Sequence, residues 1–298
     1  MYVPLIIVLS VLLFGADVAR ADEELSRQEL FTAVRLSTPG ETLTSLPAKF
    51  SFPEHARDNS VFGIDVSHHN IDGCNCTLDW ADVASHKVQF VYVKASQGTG
   101  YADPTFVKNA SGARDEGKLA VGGYHFLTTD GDVGKQADNF VSQLNKAGEL
   151  SLLPSLDLEW DLGPMTDKCP SDAVVILQSG KRCDKWSTMS SAEILAKASA
   201  WVAAVSKATG RPVLLYTSGA WWTARVGKAV LPSALGAKEV WVADYSKSGL
   251  ATEVPRSPGK ADWSAWQFSD SAKVYSGKKL FKLDASILSG DLARLQGK

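Results

Sequence analysis

From Phe62 onward, short β-rich apolar runs alternate with stretches of helical periodicity, and no other feature of the chain restricts its fold as much. Eight runs read as strands: 62–66, 90–95, 120–126, 153–158, 212–216, 239–243, 264–268 and 281–285. The first three intervals between strand starts are 28, 30 and 33 residues, each long enough for a βαβ unit of roughly 30 residues. The fourth is 59 residues and holds an insertion at about 161–187; the last three shrink to 27, 25 and 17. Helix-end signals fill the gaps. Asp103-Pro104 opens one helix and Gly117 closes it, while Phe140, Val141 and Leu144 form a stripe ending at Gly148. Ser190 and Glu193 make a capping box before a helix that stops at Gly210. The pattern predicts an α/β fold, a TIM-like barrel of eight strands whose helices are reduced in the last third. An open doubly wound sheet is the rival, but no G-x-G-x-x-G follows the first strand.

The N-terminus reads as a secretory signal over 1–21. An apolar run from Val3 to Phe14 precedes Ala19-Arg20-Ala21, an A-x-A cleavage site, although no Lys or Arg precedes the run. The run is short of the roughly 20 apolar residues that a spanning helix needs, and an uncleaved anchor is the alternative. Residues 22–60 read as a leader or linker with Pro39, Pro47 and Pro53, and 61–298 as the barrel. The reading places the protein outside the cytoplasm, secreted or periplasmic, without stable membrane insertion after cleavage. Four cysteines suit an oxidising compartment. Cys169 with Cys183 is the favoured pair; it leaves Cys74 and Cys76 to a tight ring, so two bridges between the segments remain the rival. Zinc does not suit these spacings. Asn75 and Asn109 stand in glycosylation sequons. With 31 basic and 33 acidic residues the net charge is −2, which gives no general attraction to nucleic acid.

In a barrel of this kind the chemistry sits at the carboxyl ends of the strands. Those ends carry Asp65, Lys94, Tyr124-His125, Asp157 with Glu159, Tyr216, Asp244, Gln267 and Asp284. One acid there is an ordinary helix cap; four at one end are not, because an unpaired desolvated charge is expensive. Asp157 and Glu159 are two residues apart, so on a strand they share a face with alpha carbons about 6.6 Å apart, while Leu156 and Leu158 face the other way. Two carboxylates on one face repel, which predicts a raised pKa for one of them and a group able to protonate a leaving oxygen. That is the paired-acid arrangement of glycoside hydrolysis.

With these residues the chain resembles glycoside hydrolase family 25, the lysozymes that cleave peptidoglycan as N-acetylmuramidases. The matching pieces are Phe62-Gly63-Ile64-Asp65-Val66-Ser67, Val91-Tyr92-Val93-Lys94-Ala95-Ser96, Gly122-Gly123-Tyr124-His125-Phe126 and Asp157-Leu158-Glu159. Leu215-Tyr216-Thr217, Trp241-Val242-Ala243-Asp244-Tyr245, Trp266-Gln267-Phe268 and Leu283-Asp284 follow in family order, covering about 61–287. The resemblance implies a barrel of five βα units and three further strands. It implies Glu159 as general acid and base, Asp157 as the group that orients a reactive acetamido group, and Asp65 and Asp284 as the rest of an acidic floor. Tyr124 matches a family tyrosine near the site. Tyr216 and Trp241 are assigned to sugar binding, with a core role as the alternative. Lys94, Asp244 and Gln267 join them, with pairing to a neighbouring acid as the alternative for Lys94. No metal or cofactor is implied; His68-His69 read as loop residues, since adjacent histidines do not share a face. The Cys74-Asn75-Cys76 loop and the insertion depart from the family pattern and put substrate range in question. Competing readings are a chitinase-like hydrolase, although no acidic run precedes Asp157, and a non-catalytic glycan-binding barrel. Neither oligomeric state nor biological role is legible.

Overall fold

A computed structural model describes residues 61–71, 77–86, 88–177, 180–245 and 254–298. The signal and leader segments, Cys74, Cys76 and the Asn75 sequon lie outside the described residues. Strand β1 (Phe62–Val66) is followed by α1 (Trp80–Ser85), β2 (Val88–Gln97), the short β3 (Tyr101–Ala102), α2 (Phe106–Asp115), β4 (Ala120–Phe126), α3 (Val133–Ala147) and β5 (Ser155–Asp157). The insertion then forms β6 (Leu162–Pro164), β7 (Val174–Leu177) and β8 (Gly180–Asp184). The chain continues with α4 (Ser191–Thr209), β9 (Leu214–Ser218), α5 (Gly219–Arg225), β10 (Glu239–Ala243), β11 (Ala265–Ser276), β12 (Lys279–Leu288) and α6 (Ala293–Gln296).

The strand order β1-β12-β11-β10-β9-β5-β4-β2, closed by β1 pairing with β2, is an eight-stranded barrel. Five βα units are complete, and three strands follow, as the shrinking intervals require. The barrel is mixed: β12 runs antiparallel to both β11 and β1, because the connection after β11 is a hairpin with no room for a crossover helix. Local signals survive well. Ser190 and Glu193 close the capping box of α4, and Gly210 ends it in the left-handed conformation. The helix expected at Asp103-Pro104 starts later, at Phe106. The Asp103 carboxylate instead accepts from Thr105 N (2.9 Å), Thr105 Oγ1 (2.7 Å) and His68 N (3.1 Å), so it ties the strand-to-helix loop rather than the first helical turn. The Asn109 sequon falls inside α2 with the side chain buried, so the folded chain offers no acceptor there.

Strand parity separates two cores. Ile64, Val66, Val91, Val93, Leu156 and Leu158 face outward onto the helices with Phe140, Trp186, Trp201 and Trp221. Phe90, Tyr92, Leu153, Leu214, Trp241, Leu288 and Leu295 fill the barrel interior. Two of those rings lie across glycines of adjacent strands. A Cβ on Gly63 would stand 2.3 Å from the Phe90 ring, and one on Gly122 would stand 2.3 Å from Tyr92. Large rings therefore pack where neighbouring strands carry no side chain, and they form an apolar plug below the mouth at the carboxyl ends of the parallel strands.

The insertion is a three-stranded antiparallel flap of order β6-β8-β7, stapled by the Cys169–Cys183 disulfide across alpha carbons 5.9 Å apart. Its last strand ends at the buried Asp184, which accepts from Trp221 Nε1 (3.1 Å) and Arg225 Nε (2.9 Å) and so ties the flap to α5. At its start, Asp161 accepts from the backbone and hydroxyl of Thr129, both at 2.7 Å, which holds the loop after β4.

Candidate active site

Above the apolar plug the inward positions turn polar. Asp65, Tyr124, Asp157, Glu159, Tyr216, Trp241, Gln267 and Asp284 line a small cavity of about 60 Å³ at the carboxyl ends of the parallel strands. Strand parity accounts for each placement: Asp65 shares a face with Gly63, Tyr124 with Gly122, and Tyr216 with Leu214. Asp284 arrives by a different route from the one its sequence position suggests. It lies in mid-strand on antiparallel β12, and its cross-strand partner is Asp65. The pairing of those two acids thus depends on the reversed last strand.

The two aspartates form a hydrogen-bonded carboxyl pair. Burial raises Asp65 well above the usual range and the Asp284 charge raises it further, while Gln267 opposes the rise. Asp284 is pushed up to about 6, chiefly by burial, with the bond from Asp65 opposing the rise. Burial and the mutual proximity of the two charges both favour one proton held between the two carboxyls. A relay fixes the geometry: Gln267 Nε2 donates to Asp65 Oδ2 at 2.7 Å, while its Oε1 accepts from the Tyr216 hydroxyl at 2.8 Å and from the Tyr245 hydroxyl. Tyr245 was not among the residues singled out from the sequence. The signal was available, since Tyr245 keeps the inward parity of Trp241 and Ala243 just past the end of β10.

Glu159 is half-buried, and its carboxyl is raised to about 7, by burial first and then by the Asp284 and Asp184 charges, with Lys94 opposing. The expected rise is present, although desolvation rather than mutual repulsion is its main cause. Asp157 is also raised, by burial and by Glu159, and lowered by Lys94. Its Oδ1 is buried and has no hydrogen-bond partner among the described residues. A buried acceptor of that kind is costly unless a ligand supplies a donor.

Other residues singled out from the sequence fall outside the cavity lining or take different roles. Trp241 is almost wholly buried, donates from Nε1 to Ser286 Oγ at 3.0 Å, and packs between Tyr92 and Tyr216. It stands between the apolar plug and the acids, lining the cavity with a ring that is almost wholly covered. Asp244 accepts from Arg256 N (2.7 Å) and NH2 (3.1 Å), which holds the chain after 254 rather than facing the cavity. Lys94 is buried beside the cavity without lining it. His125 points outward, stacks on Trp201 and bonds Ser96 and Gln136, and burial lowers its pKa to about 3. His68 sits in a short 3-10 turn, bound to Asp103 (2.8 Å) and Tyr101 (2.9 Å). Among the described residues no group of three or more His, Cys, Asp or Glu side chains is arranged to hold a metal.

The family model described as glycosyl hydrolases family 25 matches residues 64–276. Lysozyme M1 of Streptomyces globisporus is 31% identical over 246 residues, spanning 80% of this chain and 71% of that protein. An N,O-diacetylmuramidase of Chalaropsis sp is 29% identical over 175 residues, 57% of this chain and 72% of its own. Among solved structures, a family 25 glycosyl hydrolase from Bacillus anthracis superposes with a TM-score of 0.62 at 19% identity, covering 84% of this chain and 97% of that one. The bacterial lysozyme from Streptomyces coelicolor does so with 0.57 at 25% identity, covering 79% and 95%.

Proposed function

The chain belongs to glycosyl hydrolases family 25 and is a glycoside hydrolase, and from that premise we propose that it is an exported muramidase. The bond cut is the β-1,4 link between N-acetylmuramic acid and N-acetylglucosamine in peptidoglycan. One observation carries this reading: Glu159, its carboxyl raised to about 7 by burial, stands two residues from Asp157, whose buried Oδ1 has no donor among the described residues. Glu159 gives its proton to the glycosidic oxygen as the bond to the anomeric carbon breaks. The substrate's own acetamido oxygen attacks that carbon, and Asp157 accepts the acetamide N–H as positive charge develops there. Water then opens the cyclic intermediate, with Glu159, now ionised, taking its proton. The Asp65–Asp284 pair and its Gln267 relay bound the opposite side of the cavity and keep a net negative charge below the sugar.

Export is supported by the signal-like run in residues 1–21 and by a disulfide of the kind that persists in oxidising compartments. The names of the relatives, a lysozyme and a diacetylmuramidase, point to peptidoglycan as the substrate class. Turbidity loss of purified peptidoglycan, with chitin as control and mass analysis of the new reducing ends, tests the reading. Muramic acid at the new reducing end is the expected result. Release from chitin at a comparable rate overturns the assigned bond, and N-terminal sequencing of the exported protein should begin at Asp22.

A further inference from the structure

Glu159 stands past the end of β5, and among the described residues its carboxyl has no hydrogen bond or ion pair to hold it. Its placement therefore depends on the backbone. On one side Leu158 N donates to Tyr216 O at 3.0 Å, which keeps the chain on the barrel. On the other side Asp161 N donates to Asp184 Oδ1 at 3.2 Å. Only Glu159 and Trp160 lie between these two residues, and Trp160 is itself packed against the outer core. Asp161 is fixed at its other groups too. Its carbonyl accepts from Lys185 N at 2.8 Å, and its carboxylate accepts from Thr129 and from Lys185 Nζ, the latter at 3.1 Å.

Asp184 is wholly buried and takes four donors: Asp161 N and Trp186 N (3.3 Å) on Oδ1, Trp221 Nε1 (3.1 Å) and Arg225 Nε (2.9 Å) on Oδ2. We propose that Asp184 is a positioning residue for the hydrolysis: it anchors the backbone that carries Glu159 to α5, and so sets where the carboxyl of the acid stands. The fold supplies the means. The chain leaves the acid into the flap at Asp161 and returns at Asp184, 23 residues on, where Leu162 and Asp184 face each other across β6 and β8. The flap is thus a closed detour whose last residue ties down its start. Arg225 completes the anchor, reaching back to Asp172 in the flap through NH1 (2.9 Å) and NH2 (2.8 Å). A buried ion pair is a weak source of stability compared with apolar packing, whereas its directed bonds fix geometry. Placement of the acid is where such bonds act, since a displacement of about 1 Å can cost about 100-fold in rate. The inference rests on the role given above to Glu159.

Asp184→Ala in the full chain tests it, with Ser190→Ala, which removes the α4 cap and no contact of the Glu159 segment, as a control for lost stability. Both are assayed on purified peptidoglycan at a temperature where circular dichroism shows them folded. The kcat of Asp184→Ala should fall about 10- to 100-fold with KM within about twofold, and Ser190→Ala should keep both. Hydrogen exchange followed by NMR should show the Asp161 amide losing its protection in Asp184→Ala while the β1 and β12 amides keep theirs. A variant that melts earlier but turns over normally overturns the proposal, as does an equal loss of kcat in Ser190→Ala. A raised KM with kcat held also overturns it and makes the flap a substrate contact. If Asp184→Ala does not fold, hydrogen exchange in the unaltered protein decides: the Asp161 amide must exchange more slowly than that of Trp160, and an equal or faster rate overturns the proposal. Glu159→Gln in parallel separates the two layers. Surviving activity there removes the acid and this proposal with it, whereas lost activity there beside an unmoved kcat in Asp184→Ala overturns this proposal alone.

Discussion

Replacing Glu159 by glutamine is expected to abolish activity and to stabilise the fold, the second effect only above the pH at which a free glutamate ionises. In the unfolded chain the carboxyl titrates near 4.5, and in the cavity at about 7. Between those values the folded state binds a proton that the unfolded state has lost, so stability falls as pH rises through the window and the full penalty stands above 7. At about 1.4 kcal/mol per pH unit, the rise corresponds to about 3 kcal/mol. Glutamine is nearly isosteric and does not titrate, so the variant escapes this penalty. For a chain of this size that is a gain in Tm of about 6–12 °C at pH 8, shrinking to little at pH 4. Activity should fall about 10²–10⁴-fold, or about 3–5 kcal/mol of transition-state stabilisation. Thermal melts at pH 4 and pH 8, run beside turbidity assays, read both effects. A Tm difference between variant and parent that is the same at both pH values refutes the argument, because the gain would then owe nothing to ionisation. Retention of most of the activity would remove Glu159 from the mechanism.

Proton NMR of the first-formed reducing end, read before mutarotation, should show the β-anomer, since Asp157 and Glu159 rise from one strand end and cannot flank the sugar as an inverting pair does. An initial α-anomer would transfer water activation to Asp65 or Asp284. Peptide mapping without reduction should recover Cys169 joined to Cys183, and Cys183→Ser should lower stability by about 3 kcal/mol, the usual value for a closed loop of about 15 residues. Equal urea midpoints for variant and parent would show that the staple contributes nothing to the fold. Gly63→Ala should destabilise by about 1–3 kcal/mol, because its methyl would meet the Phe90 ring inside the barrel. A compensating Phe90→Leu should recover part of the loss in the same denaturation experiment, and no recovery would remove ring contact as the cause.

Much of this protein is written locally. Alternation of apolar residues marks the barrel strands, Ser190, Glu193 and Gly210 bound α4, and two-residue spacing places Asp157 and Glu159 on the inner face. Each of these depends on neighbours within a few positions, so the order of residues alone determines it. What the tertiary structure decided is where distant residues meet. The reversal of β12 sets Asp284 against Asp65, and a hydrogen bond spanning 202 residues orders Gln267 beneath the acid pair. Trp241 is almost wholly covered because its ring packs against Tyr92 and Tyr216, and Asp244 turns to Arg256 instead of the cavity. Lys94 donates to Gln97 beside the Phe126 and Tyr101 rings, and among the described residues it forms no ion pair. Such contacts follow from barrel closure and strand register, which periodicity along the chain does not encode, and burial within that closed barrel is the main reason the carboxyls hold their protons.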